Sequence, residues 1–307
     1  MISLSRNNRR ITARPHSLPL ANELYASRPD VSRILHNRTL PREMAVTPSP
    51  RVALDFARIT SSDIFFSSFT LFACFAIQHV SQRALASRAK WFAALDASAR
   101  ADIGVRCASA LWGTIAGVLA TVIIVPAIAR GTTPSERVYA PMTYARELCC
   151  AASGYFIWDL SVSLKYYDKQ YVTHAAASIV TFAMPALMPG SFLHYYGLMF
   201  ILWEITLPLL AVRTIMIKSG RGSTVGFQVV QALGFGLFIF LRFILGLPVM
   251  YTYVMDAYEM YTRGLATPKF VYAFYVVGGG MFQLLNCLWV FEMVKVLLRP
   301  KKKRATD

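Results

Sequence analysis

The sequence predicts an all-α, polytopic transmembrane helical bundle of about seven or eight helices. Three observations carry this. Hydrophobic residues make up 55% of the 307 residues, only 16% are charged, and mean hydropathy is +0.44. A soluble domain of this size carries more charge and fewer apolar residues. The apolar residues also fall in runs long enough to cross a bilayer core. Within those runs lie isolated ionisable residues, which inside a membrane face a protein interior or a wet cavity.

Residues 1–60 come first. They are polar, hold Pro15, Pro19, Pro29, Pro41, Pro48 and Pro50, and sustain no helical period. They read as a disordered basic tail. Arg6, Arg9, Arg10 and Arg14 occur in the first 20 residues without an acidic residue, a composition that also resembles a mitochondrial presequence. The plain Arg-rich tail is the preferred reading.

Seven apolar runs follow, at about 62–80, 107–129, 147–164, 171–188, 192–212, 225–254 and 270–294. The first is interrupted by serines and closed by Gln78-His79. The second has no charge. The third holds Asp159, the fourth His174 and Pro185, and the fifth Glu204 and Pro208. The sixth holds Arg242 and Pro248, and the seventh Gln283, Asn286 and Glu292. Prolines are tolerated in membrane helices because neighbouring groups satisfy the freed carbonyls. Gly234, Gly236 and Gly278 to Gly280 are expected to permit close helix contact. Tyr166, Tyr167, Tyr171, Tyr195, Tyr196, Tyr251 and Tyr253 near run ends read as an interfacial belt. The membrane domain is thus expected over 61–298, with a basic tail at 299–307.

The net charge of +16 comes from 32 Lys and Arg against 16 Asp and Glu, with ten arginines before residue 60. In a membrane protein this reports orientation and anionic headgroups at the basic tails, and no nucleic-acid partner is expected. Seven spans would set the two basic ends on opposite sides, against the positive-inside rule, unless one run does not span or an eighth element lies in 131–146. Cys74, Cys107, Cys149, Cys150 and Cys287 show no metal-ligand spacing and read as small buried hydrophobes. No metal and no resident cofactor is expected. Nucleophile-elbow, Walker and HExxH motifs are missing.

Helical spacing places polar residues on faces. Tyr155, Asp159, Ser163 and Tyr166 form one stripe, and His174, Ser178 and Thr181 another. The connection Lys165 to Gln170 makes the two helices antiparallel neighbours, with Asp159 and His174 toward the same membrane side. Gln228, Gln231 and Arg242 project to one side of the sixth helix. Glu204 and Arg213, nine residues apart, point oppositely on a straight helix, so Arg242 is the expected partner of Glu204 or Asp159. Arg213 reads as snorkelling to the interface. The candidate residues of a shared polar site are Tyr155, Asp159, His174, Ser178, Glu204 and Arg242, the set that the resemblance below makes lipid-binding.

GYFIWDL at 154–160, YYDK at 166–169, the His174 helix and ILWEITLPLLAVR at 201–213 together resemble the TLC-domain family of multipass membrane proteins, in its smaller branch related to the ceramide synthases. The resemblance covers roughly 60–295. It implies six helices in a barrel-like core around a lipid-accommodating cavity, and an endoplasmic reticulum membrane. In ceramide synthases two adjacent histidines serve acyl transfer from acyl-CoA; here the corresponding pair is His174-Ala175. The expected function is therefore lipid binding or sensing that influences membrane lipid composition. The enzyme alternative is an acyltransferase using acyl-CoA as co-substrate, with His174 as general base oriented by Asp159. A lipid transporter or cargo receptor is a third. Oligomeric state is not encoded in any pattern found.

Overall fold

The structure, a computed structural model, describes residues 59–188, 191–263 and 269–298. The tails expected at 1–60 and 299–307 lie outside these, apart from Ile59 and Thr60. Among the described residues there are only helices and their connections.

Seven long helices answer the seven apolar runs. They are α1 (Ser61–Arg88), α3 (Ala97–Arg130), α5 (Ala145–Tyr166), α6 (Lys169–Leu187), α7 (His194–Lys218), α8 (Val225–Thr262) and α9 (Lys269–Leu298). Two short helices, α2 (Lys90–Ala93) and α4 (Pro134–Tyr139), sit in connections. The element sought in 131–146 is thus α4, whose six residues rise about 9 Å and cannot span.

Helix starts are written in the sequence. Thr60 and Asp63 form a capping box on α1, with Asp63 N–H donating to Thr60 Oγ1 at 3.2 Å and Thr60 N–H to Asp63 Oδ2 at 2.8 Å. Asp96 caps α3 and Thr224 caps α8, each contributing about 1 kcal/mol. Helix ends are longer than the apolar runs suggest. Gln78, read as closing the first run, is buried and accepts from Trp158 Nε1 at 3.1 Å, so α1 continues to Arg88.

Five segments are long and apolar enough to cross a membrane: α1, α3, α7, α8 and the stretch Val276–Lys295 of α9. Helices α5 and α6 are more polar in composition and pack tightly against each other. Large apolar side chains lie on the outside, among them Phe65, Phe69 and Phe72 of α1 and Val118, Val122 and Val125 of α3. Charged residues lie inside: Glu204, Arg242 and Asp256 are each no more than 5% exposed. In water this arrangement is inverted; in lipid it is the stable one.

Six helices close a ring. In order of contact it runs α3, α5, α6, α9, α8, α7 and back to α3. Helix α1 packs outside it, against α5 and α3. Its fit depends on Gly154, where a Cβ would come within 1.9 Å of the Ser67 carbonyl oxygen. Ser67 Oγ donates to the Cys150 carbonyl at 2.8 Å across the same contact.

One end of the bundle is filled. Arg146 makes a two-point pair with Asp63 (2.9 and 2.7 Å), which also accepts from the Cys150 thiol at 3.3 Å. Arg137 of α4 grips Asp256 of α8 at 2.5 and 2.7 Å, and the Tyr196 hydroxyl donates to the same carboxylate. Its bonds to Asp256 hold the Arg137 guanidinium charged, above the usual arginine range. Met184, Met188, Phe192, Leu193, Tyr253 and Met260 pack between these pairs.

Several expectations are corrected. Tyr196 and Tyr253 are 1% exposed core residues, not belt residues. Cys287 is exposed on the outer face of α9, and Cys107 is half-buried, so burial holds for Cys74, Cys149 and Cys150. Of the glycines expected at contacts, Gly279 meets Met250 and Gly234 meets Leu209, while Gly236, Gly278 and Gly280 face open space.

Candidate functional site

Two breaks in helical geometry shape the interior of the ring. Pro208 has no N–H and its ring crowds the carbonyl four residues back, that of Glu204. The chain answers with a 3-10 stretch, Leu202–Thr206. Each 3-10 residue advances about 20° further than an α residue, so the two or three steps from Glu204 to the end of the stretch add about 40–60° of rotation between Glu204 and Arg213. Glu204 and Arg213 therefore both reach the interior, where a straight helix sets them apart. Gly113 of α3 accommodates the displaced backbone: a Cβ there would lie 2.3 Å from the Glu204 carbonyl oxygen.

The second break is a π-helical turn, Phe240–Ile244, centred on Arg242, where Leu245 N–H bonds to the Phe240 carbonyl at 2.8 Å. Such turns often mark functional positions. The loosened Arg242 carbonyl accepts from Gln283 Nε2 at 3.0 Å. Arg242 Nη1 donates to Asn286 Oδ1 at 2.8 Å, and its Nη2 is 3.9 Å from Glu204 Oε1. Trp203, Phe238 and Trp289 surround the guanidinium with ring centroids 5.0–5.4 Å away. Aromatic faces and one carboxylate stabilise a buried guanidinium together.

Between the six ring helices lies a cavity of about 400 Å³. It falls within the ~300–1,000 Å³ range of sites for small organic ligands. The expected residues Tyr155, Asp159, His174, Glu204 and Arg242 all line it. At the inner end, Glu204 meets Arg242. Asp159 has no hydrogen-bond or ion-pair partner among the described residues, yet lies close enough to Glu204 for the two carboxylates to repel. His174 stands edge-on to Phe156, Phe282 and Trp289, with Nδ1 unpartnered. No hydrogen bond joins it to Asp159.

The outer end is built from the ends of six helices: Arg106 of α3, Tyr167 after α5, Gln170 and Tyr171 of α6, Arg213 of α7, Gln231 of α8 and Glu292 of α9. Asp102 organises it, accepting from the Tyr167 hydroxyl at 2.6 Å and pairing with Arg106 at 3.3 Å and Lys218 at 3.2 Å.

The TLC-domain family model matches residues 102–295, almost the whole of the ring and all of the cavity lining. The chain belongs to the TLC-domain family. A TLC domain-containing protein of Schizosaccharomyces pombe is 27% identical over 173 residues, covering 53% of this chain and 56% of that one. Another, of Saccharomyces cerevisiae, is 27% identical over 187 residues, covering 56% and 54%. The chain thus matches about half the length of these curated relatives.

This TLC domain departs from the sequence expectation at several positions. Ser178 is buried outside the cavity lining, as are Ser163 and Thr181, so only the first members of each stripe face the cavity. Tyr166 lies outside the lining too. The connection between α5 and α6 is two residues, Tyr167 and Asp168, which draws Tyr167 inward. Gln228 is exposed on the outside while Gln231 lines the cavity. Arg213 lines the cavity, where its Nε donates to Gln231 Oε1 at 3.3 Å. Arg106 and Trp289 were not singled out by sequence reasoning. The available signal for Arg106 was its i,i+4 spacing from Asp102 just before an uncharged run.

Proposed function

We propose that this TLC domain binds a membrane lipid in the cavity between its six helices and thereby senses or adjusts membrane lipid composition. The observation that carries the reading is a cavity inside the ring of six helices with polar groups at both ends and an apolar wall. Asp159, Tyr155 and the Glu204–Arg242 pair supply acceptors and donors for a headgroup. Leu207, Leu209, Leu210, Val230 and Phe235 supply a wall for acyl chain. Mass spectrometry of the gently solubilised full chain tests it: a lipid retained at near-stoichiometric level is expected, and a lipid-free protein overturns the reading. The endoplasmic reticulum is the membrane we propose, on the resemblance to the ceramide synthases; co-localisation of the tagged full chain with a marker of that membrane checks it.

One observation favours acyl transfer as a second reading. The His174 imidazole lines the cavity, and its buried Nδ1 has no hydrogen-bond partner among the described residues. Membranes supplied with labelled acyl-CoA and candidate acceptors then yield product that the His174→Ala variant lacks at equal protein level. Equal product from both removes this reading and leaves lipid binding untouched.

A further inference from the structure

The outer end of the cavity holds more positive charge than its own carboxylates answer. Arg213 is half-buried; its neighbours are the Gln231 side chain and the Phe227 ring, 5.9 Å away, and no carboxylate among the described residues pairs with it. Arg106 lines the same space, near enough to repel it. The carboxylate beside Arg106, Asp102, is shared with Lys218. Glu292 also lines the cavity, and Lys295 takes its charge at 2.7 Å. Four cations thus stand against two carboxylates. The inner end is richer in carboxylates, with Asp159 and Glu204 beside Arg242 and the Arg106 charge also reaching Asp159. Two guanidiniums on one partly desolvated wall call for an oxygen anion, which each can meet with charge-assisted hydrogen bonds.

We propose that the ligand carries an anionic oxygen group, phosphate or carboxylate, seated between Arg106 and Arg213. Its apolar chain then follows the wall formed by Leu209, Leu210, Val230 and Phe235. The proposal rests on the lipid-binding reading and names the chemical class of lipid.

Native mass spectrometry of the full chain in mild detergent tests it, with three probes: phosphatidic acid, diacylglycerol of the same chains, and inorganic phosphate. Wild type is expected to hold phosphatidic acid at least about tenfold more tightly than diacylglycerol. Arg213→Gln is expected to remove that difference, with Arg213→Lys in between. Should Arg213→Gln fold poorly, Gln231→Glu places a carboxylate beside Arg213 and is expected to have the same effect. Displacement of phosphatidic acid by millimolar phosphate supports the anion seat and makes a free anion its occupant; persistence of the lipid supports the seat with the chain contributing. Equal affinity for the two lipids in wild type, or a difference that survives both variants, overturns the proposal while lipid binding stands. Wild type that takes up neither lipid overturns the lipid-binding reading itself.

Discussion

Arg242 is the residue on which the interior turns. It is 4% exposed, paired with Glu204, bonded to Asn286 and enclosed by three aromatic rings. Removing one member of a buried pair leaves the other charged and unanswered, at a cost of about 3–5 kcal/mol. Glu204→Ala and Arg242→Met should each lower the temperature of irreversible unfolding in detergent. The double variant should recover much of that loss, because two uncharged groups leave no orphan. A double variant as unstable as the sum of the two singles would show that the pair does not act as a unit. The sequence narrowed this partnership to Glu204 or Asp159, since these are ionisable residues in apolar runs with few alternatives; the structure pairs Arg242 with Glu204. It did not disclose Asn286 as the second partner, because which face of α9 meets α8 depends on a crossing between helices and not on any local period.

Among the elements, α7 and α1 teach the most. In α7 the 3-10 stretch exists because of Pro208, and it turns Glu204 and Arg213 into the same cavity. Pro208→Ala removes the ring clash and returns an N–H to the backbone. The stretch should then relax toward α geometry, rotate Glu204 away from Arg242, and reduce retained lipid in the purified protein; unchanged lipid content would separate the 3-10 turn from the site. Pro208 was visible in the sequence as the one feature able to turn α7, but the size of the turn was not, since that depends on Gly113 making room across the interface. Helix α1 shows the reverse case. It lies before the family match at 102–295, and its apolar run was the weakest of the seven. The structure fastens it through Gly154, Ser67 and the Asp63–Arg146 pair. Gly154→Leu should push α1 off α5 and raise protease sensitivity near residue 90, whereas Gly236→Leu, facing open space, should not. Equal sensitivity in both would sink that account.

For the whole molecule, the seven-run count and the all-helical class were legible from hydropathy alone, because each run is long, apolar and separated from the next by polar residues. The ring order was not, because which helices touch is decided by side-chain fit between segments distant in sequence. That order gives the molecule two unlike ends. One holds the cationic rim of the cavity; the other is packed with aromatic and sulfur-containing side chains and closed by two arginine–aspartate pairs. Lipid should therefore enter and leave at the rim. With a cysteine placed at Gln231 or at Met260 in a background lacking the native ones, a water-soluble maleimide should label the first quickly and the second slowly. Labelling of both at similar rates would mean a path runs through, as a transporter requires. The indole of Trp289 beside Arg242 has one more consequence. It lines the cavity, so its ultraviolet emission responds to whether water or hydrocarbon fills the space beside it. The protein thus has its own optical gauge of occupancy, shifting toward the blue as a guest drives water out, without any dye attached.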